Sequence, residues 1–242
     1  MSTVYLVRHG QAGTRQAYDS LSPLGKQQAR SLGEHFVSQG VRFAFACCGA
    51  MTRQQQTAAE VSRVYAETGI SFPVVTVDPG WDEFDLGLIY QEIAPQLSEA
   101  DPEFRHEYEQ MRDQARSNAG RHAARVHRKW LPCDTKLVDA WIAGLYQYSG
   151  ETWQQFRERV AACQAKIVDS QERQKILAVT SATPIAVWAG LSLEITDDRL
   201  MRLAGVLYNA SYSVMRLREG QIRLFTFNAV PHLGVPGLRT HR

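Results

Sequence analysis

The sequence has little of what marks a disulfide-stapled, metal-binding or exported protein. It contains four cysteines, and no two of them form a CxxC pair. Adjacent Cys47 and Cys48 are a poor zinc pattern, and Cys133 and Cys163 stand alone. We therefore expect free thiols, buried as small hydrophobic side chains. The N-terminus lacks the pattern of a secretory signal, which together with the few cysteines predicts a cytoplasmic location.

An excess of charge and long apolar runs are also missing. Lysine and arginine number 27 against 25 aspartates and glutamates, a formal net charge of +2. This balance gives no reason to expect nucleic acid or an anionic membrane as a partner. No apolar stretch approaches the roughly 20 residues that a membrane-spanning helix needs. With 44% hydrophobic and 21% charged residues, the 242-residue chain has the composition of a globular protein.

Apolar periodicity predicts strands and helices that alternate along much of the chain. Short β-branched and aromatic runs predict strands, and stretches with apolar residues at helical spacing predict helices. The predicted strands are 4–7, 43–48, 74–77 and 176–180, followed by a hairpin of 212–217 and 221–227. The predicted helices are 23–39, with Ser22 as its N-cap and Pro23 in its first turn, 51–68, 151–171 and 183–191. This order predicts an α/β fold, a three-layer α/β/α sandwich around a mostly parallel sheet.

Residues 91–150 interrupt the alternation and predict a helical insertion within a single domain of residues 1–242. Between Arg112 and Lys129, six basic residues face one acidic residue, and Arg121, Arg125 and Arg128 share one helical face. Either this face attracts an anionic ligand, or it is a solvated helix surface. The tail of residues 231–242 contains proline and glycine and is expected to be loosely held.

Arg8, His9 and Gly10 follow the first predicted strand directly. Ligands of parallel sheets bind beyond the carboxyl ends of the strands, so these side chains would lie at a binding edge. A histidine is a competent nucleophile at neutral pH, and an arginine offers a planar fork that matches phosphate oxygens. Gly10 would let a ligand approach the backbone. Taken alone, the tripeptide fits a structural role as well as a functional one.

Further motifs follow in a fixed order. They are an RHG strand end at 8–10, an LS-x-LG-x-x-QA helix start at 21–29, an R-x-x-x-TA segment at 53–58, an E-x-x-x-G segment at 83–87, Gly150-Glu151-Thr152-Trp153 and Asn209-Ala210-Ser211. Together they resemble the histidine phosphatase (phosphoglycerate-mutase-like) superfamily. The resemblance implies a phosphoglycerate-mutase-like fold and a small-molecule phosphoester as substrate.

The chain departs from that family after its fourth predicted strand. The family pattern there is V-[ST]-H-G, which supplies a second catalytic histidine. This chain reads Val179-Thr180-Ser181-Ala182, so Ser181 occupies the position of the histidine. A serine hydroxyl still donates one hydrogen bond but carries no charge, and loss of one such donor typically slows catalysis by about 10²–10³. His232 lies in a segment that resembles a C-terminal feature of the family and is a weak candidate for the site.

The resemblance also implies a role for each matching residue. His9 would accept the phosphoryl group, and Glu83 would act as general acid and base, although it could instead be a surface carboxylate. Arg8, Arg53 and Ser181 would bind phosphoryl oxygens. Arg53 begins a predicted helix, where a cation opposes the helix dipole unless an anion binds to the free N–H groups there. Residues that could line the pocket are Gln11, Thr14 and Ala182, and no metal or other cofactor is implied.

Three functions remain open at this stage. The first is a phosphomonoesterase that works through phosphohistidine at a rate lowered by Ser181. The second is an impaired enzyme that serves as a phosphoester-binding or regulatory protein. The third is a phosphoglycerate-type mutase, which the weakened phosphate clamp disfavours. The sequence leaves the oligomeric state undetermined.

Overall fold

The computed structural model of the chain describes residues 2–13, 19–117, 132–168, 174–218 and 221–241. These residues form two compact units. One comprises Met1–Glu83 and Arg159–Arg242, and the other comprises Phe84–Glu158. That residues 91–150 are an insertion within one domain stays a prediction.

The strands of the first unit form one mixed sheet. They are β1 (Ser2–Arg8), β2 (Phe45–Cys48), β3 (Val75–Val77), β4 (Lys175–Thr180), β5 (Tyr212–Arg218) and β6 (Gln221–Ala229), in the spatial order β3-β2-β4-β1-β5-β6. β1 and β2 pair with β4 in parallel, and β2 pairs with β3 in parallel. β1 pairs with β5, and β5 with β6, antiparallel. The predicted α/β fold with a mostly parallel sheet is confirmed.

Eight helices occur among the described residues. They are α1 (Pro23–Ser38), α2 (Thr52–Glu67), α3 (Leu86–Ala100), α4 (Pro102–Ser117), α5 (Pro132–Ile142), α6 (Trp153–Val168), α7 (Ala182–Leu193) and α8 (Asp197–Val206). The start of α1 follows from its sequence. The Ser22 hydroxyl accepts a hydrogen bond from the Gly25 N–H at 2.9 Å, and Pro23 fits the first turn because that turn needs no N–H.

The two faces of the sheet carry alternate side chains of each strand. On one face, Val7, Leu177 and Val179 pack against aromatic side chains of α1 and α2, including Phe36 and Tyr65. The opposite face is covered in part by α7, whose buried Trp188 donates its indole N–H to the Val160 carbonyl of α6 at 3.0 Å. Apolar burial on both faces explains why the central strands are almost wholly hydrophobic.

The second unit is helical in its described part. Helices α3, α4 and α5 surround a core that includes Ile89, Ile93, Phe104 and Leu137. The buried carboxylate of Asp134 accepts a short hydrogen bond from the Tyr90 hydroxyl. A polar group can be buried here because it has a partner.

The expectation of a loosely held C-terminal tail is wrong. Leu233 is fully buried, and the Gln28 amide donates to the Leu238 carbonyl at 2.8 Å and to the Thr240 hydroxyl at 2.9 Å. The Asn209 N–H donates to the Thr240 carbonyl at 2.8 Å. These long-range contacts hold the tail, and the sequence alone gave no sign of them.

The four cysteines are free and buried, as expected. Burial raises the pKa of the Cys48 and Cys163 thiols to about 11, so both are protonated and unreactive at neutral pH. Within the described ranges, no cluster of three or more histidine, cysteine, aspartate or glutamate side chains is arranged to hold a metal ion. No described helix is both long and apolar enough to cross a bilayer.

Candidate active site

The carboxyl ends of β1, β2 and β4 bring the candidate residues to one edge of the sheet. Arg8 and Thr180 are register partners on neighbouring parallel strands, and the His9 N–H donates to the Thr180 carbonyl at 2.9 Å. Because His9 and Ser181 are the next residues on their strands, they leave the sheet side by side. The Gly49 N–H, which follows β2, donates to the Val179 carbonyl of β4 at 3.1 Å. The edge is the one where ligands of parallel sheets bind.

The imidazole of His9 is held in one tautomer by its two hydrogen bonds. Its Nδ1 lies 2.7 Å from the Gly10 carbonyl oxygen, which can only accept, so Nδ1 carries the proton. Its Nε2 lies 3.2 Å from the Nε of Arg53, which can only donate, so Nε2 carries a lone pair. Both bonds assign the same neutral form. Nε2 is therefore the atom that could attack an electrophile.

Arg53 connects His9 to a carboxylate. It lies in the first turn of α2 and is buried, and its Nη1 donates to Asp19 Oδ1 at 2.9 Å. The other oxygen of Asp19 accepts the N–H of Thr52 at 3.0 Å. The guanidinium thus lies between the candidate nucleophile and a negative charge, and the position suits the binding of an anion.

The N-terminus of α2 is occupied by side chains of the chain itself. Asp82 Oδ1 accepts the N–H groups of Ala50 at 2.6 Å and Met51 at 3.3 Å, and Asp19 accepts that of Thr52. Two carboxylates therefore complement the dipole at this helix start, and the binding of phosphate to N–H groups of α2 stays a prediction. Burial raises the pKa of Asp82, and the backbone N–H groups oppose that shift.

The carboxylate of Glu83 lies at the N-terminus of α7. Its Oε2 accepts the N–H of Thr183 at 3.1 Å, which places the carboxylate within one residue of Ala182 and two of Ser181. The turn that carries Glu83 is tied down by α6, because Arg159 Nη1 donates to the carbonyls of Pro79 and Gly80, each at 2.9 Å, and of Asp82 at 3.2 Å. A carboxylate fixed in this way is suited to general acid–base work.

Ser181 precedes α7 and is buried. Its hydroxyl oxygen accepts a hydrogen bond from the side-chain amide of Gln54 at 2.9 Å. Gln54 neighbours Arg53 on α2 and is itself fully buried. Gln54, which the sequence interpretation did not select, therefore links Ser181 to helix α2, the helix that carries Arg53.

Arg8 is buried, and its Nη1 donates to the Leu207 carbonyl. The Gln11 side chain lies nearby on the chain, and its amide oxygen accepts the Ser22 hydroxyl at 2.8 Å. Ala182 is the first residue of α7. Thr14 lies outside the described residues. That Arg8 binds phosphate and that Gln11 and Ala182 line the pocket stay predictions.

Gly10 also allows a close approach within the chain. A Cβ atom at this position would lie 2.4 Å from the Gly25 carbonyl oxygen, and one at Gly25 would lie 2.1 Å from the Gln11 carbonyl oxygen. The glycines allow the loop after β1 to pass against the start of α1, and the approach of a ligand to the Gly10 backbone stays a prediction. The Gly10 N–H also donates to the Thr57 hydroxyl at 3.0 Å.

His232 lies in a cluster of rings. Its centroid is 5.9 Å from that of His35 and 6.2 Å from that of Tyr212. Burial and the charge of His35 lower the pKa of His232 to about 4, against a backbone contact at Ala210 that raises it. Of the basic segment, Arg112 lies 5.6 Å from the Tyr108 ring centroid. Residues Arg121, Arg125, Arg128 and Lys129 lie outside the described residues.

The sequence did not point to five residues that shape the site, of which Asp19 lies in the loop before α1. Thr57 was visible as part of the R-x-x-x-TA segment, and Arg159 as part of the helix motif. Asp82 could not be distinguished from the other acidic residues around it. The sequence gave no indication of a role for Gln54 except its position beside Arg53.

Comparison with known families decides the relationship. The profile of the histidine phosphatase superfamily (branch 1) matches residues 4–142 and 129–230. The chain belongs to the histidine phosphatase superfamily. The match includes every candidate residue except His232, so the expected resemblance is confirmed at family level. A comparison with curated proteins finds no match.

Solved structures of histidine phosphatases share the fold of this superfamily member. A mutant phosphoserine phosphatase from Entamoeba histolytica in complex with phosphoserine has 14% identity and a TM-score of 0.60, covering 96% of this chain and 100% of that one. A mycobacterial glucosyl-3-phosphoglycerate phosphatase has 20% identity and a TM-score of 0.58, covering 95% and 99%. Its complex with inorganic phosphate has 19% identity and a TM-score of 0.61, covering 97% and 100%. At these identities the likeness establishes the fold.

Proposed function

We propose that the protein is a phosphomonoesterase that works through a phosphohistidine on His9. The observation that carries the proposal is the state of the His9 ring. Its proton is on Nδ1, bound to the Gly10 carbonyl, and its lone pair is on Nε2, facing the guanidinium of Arg53. A nucleophile and an anion-binding group are therefore already adjacent.

In the first step, Nε2 of His9 attacks phosphorus as the ester P–O bond breaks. Charge on the three equatorial oxygens is stabilised chiefly by positioned cations and hydrogen-bond donors. Arg53 and Arg8 supply the two guanidinium groups, and Ser181 supplies a neutral donor. Glu83 gives its proton to the leaving oxygen, which departs as an alcohol.

In the second step, water attacks the phosphohistidine. The carboxylate of Glu83 takes a proton from the water as the N–P bond breaks, and inorganic phosphate is released with His9 restored. The substrate class we propose is a small-molecule phosphate monoester. The phosphatases that share this fold include one bound to phosphoserine, which supports that class.

Ser181 sets the expected rate. We propose that it stands where other members of the superfamily use a second histidine. A neutral hydroxyl in place of a cationic donor lowers the stabilisation of the transferring group, typically by about 10²–10³ in rate. We therefore expect slow but measurable hydrolysis.

The test is hydrolysis of p-nitrophenyl phosphate by the wild type, by His9→Ala and by a His106→Ala control on the exposed surface. We expect turnover by the wild type and the control and none above background by His9→Ala. Equal background rates for all three would contradict the proposal. If phosphate still bound to the wild type in that case, the protein would be a phosphoester-binding protein.

A further inference from the structure

The side chain of Gln54 is part of the candidate site although no motif selects it. It is fully buried, and its amide nitrogen donates to the Ser181 hydroxyl at 2.9 Å and to the Trp81 carbonyl at 3.3 Å. Because the side chain is not exposed to solvent, water cannot replace these hydrogen-bond partners. Its contacts therefore determine how the residue acts.

The orientation of this amide follows from its neighbours. A primary amide has two N–H donors on nitrogen and only acceptor capacity on oxygen. Turning the amide over would place its oxygen against the carbonyl oxygen of Trp81, where neither atom could donate. The nitrogen therefore faces Ser181 and both of its N–H groups have a partner, whereas the amide oxygen has no hydrogen-bond partner among the described residues.

This orientation determines what the Ser181 hydroxyl can do. Because the hydroxyl accepts from Gln54, its own proton points away from that amide and is available to a different acceptor. Residue 181 follows β4 directly as His9 follows β1, so the two residues leave the sheet side by side, and the proposed reaction places the phosphoryl oxygens there. We propose that Gln54 is a positioning residue that holds Ser181 as a hydrogen-bond donor to the phosphoryl group. This proposal rests on the proposed function.

The close packing around the Gln54 amide is consistent with the proposed positioning of Ser181. A Cβ atom at Gly49 would lie 1.9 Å from the Gln54 amide oxygen, so only glycine at the end of β2 leaves room for this side chain. On the other side, the amide nitrogen is in contact with Ser181, so an imidazole built in the direction of the hydroxyl would meet it. A larger side chain at position 181 that follows the direction of the hydroxyl would therefore meet Gln54.

The coupling can be measured with a double-mutant cycle of wild type, Gln54→Leu, Ser181→Ala and the double variant. We expect Gln54→Leu to lower kcat on p-nitrophenyl phosphate about 10-fold, since it removes the group that orients one donor. In the Ser181→Ala background we expect the same change to alter kcat less than about twofold, because the donor is already gone. Gln55→Leu, an exposed change on the same helix turn, is the matched control and should leave kcat unchanged.

A purely structural role for Gln54 would give a different result. Gln54→Leu would then lower kcat equally in both backgrounds, and that outcome would overturn the proposal. Where Gln54→Leu fails to fold, Gln54→Glu replaces it in the cycle. A carboxylate can only accept, so it should draw the Ser181 proton to itself and lower kcat in the Ser181 background alone. An equal effect of Gln54→Glu in both backgrounds would likewise contradict the proposal.

The same cycle read by binding separates this proposal from the proposed function. Affinity for inorganic phosphate, measured by calorimetry, does not depend on turnover. Weaker binding in Gln54→Leu that disappears in the Ser181→Ala background supports the positioning role even if wild type and His9→Ala hydrolyse nothing. Phosphate binding that is independent of Gln54 in both backgrounds would count against it.

A second test asks whether Gln54 limits the space for a larger side chain at position 181. Ser181→His alone should gain no activity, because Gln54 stands where the ring would lie. Ser181→His combined with Gln54→Ala should exceed Ser181→His by about 10-fold or more, since the cationic donor is then accommodated. Equal rates for these two variants would show that Gln54 does not limit the space at position 181.

Discussion

Arg53, which we propose binds the phosphoryl group, already forms an ion pair with Asp19. The Asp19 carboxylate is 2.9 Å from one guanidinium nitrogen and is about half exposed, so its side chain can be displaced. A phosphate dianion approaching His9 meets this negative charge at close range. Competition between the two anions for one guanidinium is therefore built into the unliganded state.

Removal of that charge should favour substrate. We expect Asp19→Asn to lower KM for p-nitrophenyl phosphate several-fold, with a smaller change in kcat, because repulsion of the dianion falls while Arg53 stays in place. Initial rates at low ionic strength measure the effect, and added salt should reduce it. Glu99→Gln, an exposed change in the second unit, is the charge-matched control. A KM that rises in Asp19→Asn would mean that Asp19 helps to bind substrate.

The sequence located the candidate nucleophile and the arginine on α2 because each lies in a short, ordered motif. It could not show the contact between Gln54 and Ser181, whose residues are 127 positions apart. Nor could it show that Asp82 and Asp19 cap α2, since an acidic side chain in a loop has the same pattern whether it is solvated or bonded. Long-range hydrogen bonds of this kind are set by the fold, and local patterns do not carry them.

The turn from Pro79 to Glu83 depends on α6 for its position. One guanidinium nitrogen of Arg159 bonds three backbone carbonyls of this turn, and the Thr180 hydroxyl bonds the Trp81 carbonyl. Carbonyls of a loop that packs against a core need such partners. The candidate general acid Glu83 is therefore placed by an element far away in sequence.

Loss of the Arg159 guanidinium should affect both the stability of the protein and its turnover. We expect Arg159→Met to lower the free energy of unfolding by about 1–3 kcal/mol, since partly buried carbonyls lose their donor while the apolar stem is kept. We also expect kcat to fall more than KM changes, because Glu83 is no longer held. Urea unfolding and initial rates measure the two effects. Arg199→Met, a change at an exposed residue of α8, should change neither, and a similar loss in that control would contradict the assignment.

Strands were easier to predict than helices from this sequence. The predicted and observed bounds of β1, β3, β4 and β5 differ by at most two residues, because β-branched runs with clear ends define them. β2 begins at Phe45 and not at residue 43, since Phe43 joins the aromatic cluster of α1 and α2 and does not pair. Helix α8 was not predicted, and the order of the strands could not be read, because crossovers leave no periodic signal.

The protein as a whole should lose stability in mild acid. His232 and His35 lie side by side with Tyr212, and burial lowers the pKa of both histidines, that of His232 to about 4. The unfolded chain binds these protons near pH 6.5, whereas the folded chain resists them. Stability is then complete above pH 6.5 and declines as the pH falls from there toward 4.

A variant without the His232 ring nitrogens tests this dependence. We expect the wild type to lose up to about 2 kcal/mol of unfolding free energy between pH 7 and pH 5 through His232, and His232→Phe to lose correspondingly less. Urea titrations at the two pH values give the difference, with His106→Phe on the surface as the matched control. Equal losses for wild type and His232→Phe would show that this histidine does not carry the acid sensitivity.

The proposed chemistry depends on one nitrogen atom, Nε2 of His9. Its role can be tested by rapid quenching of the protein with a ³²P-labelled aryl phosphate, followed by peptide mapping. We expect an acid-labile, base-stable label on the peptide that contains His9, formed fast enough to account for turnover and absent in His9→Ala. Sustained turnover in His9→Ala, or a phosphorylated enzyme whose label lies on another residue, would contradict it.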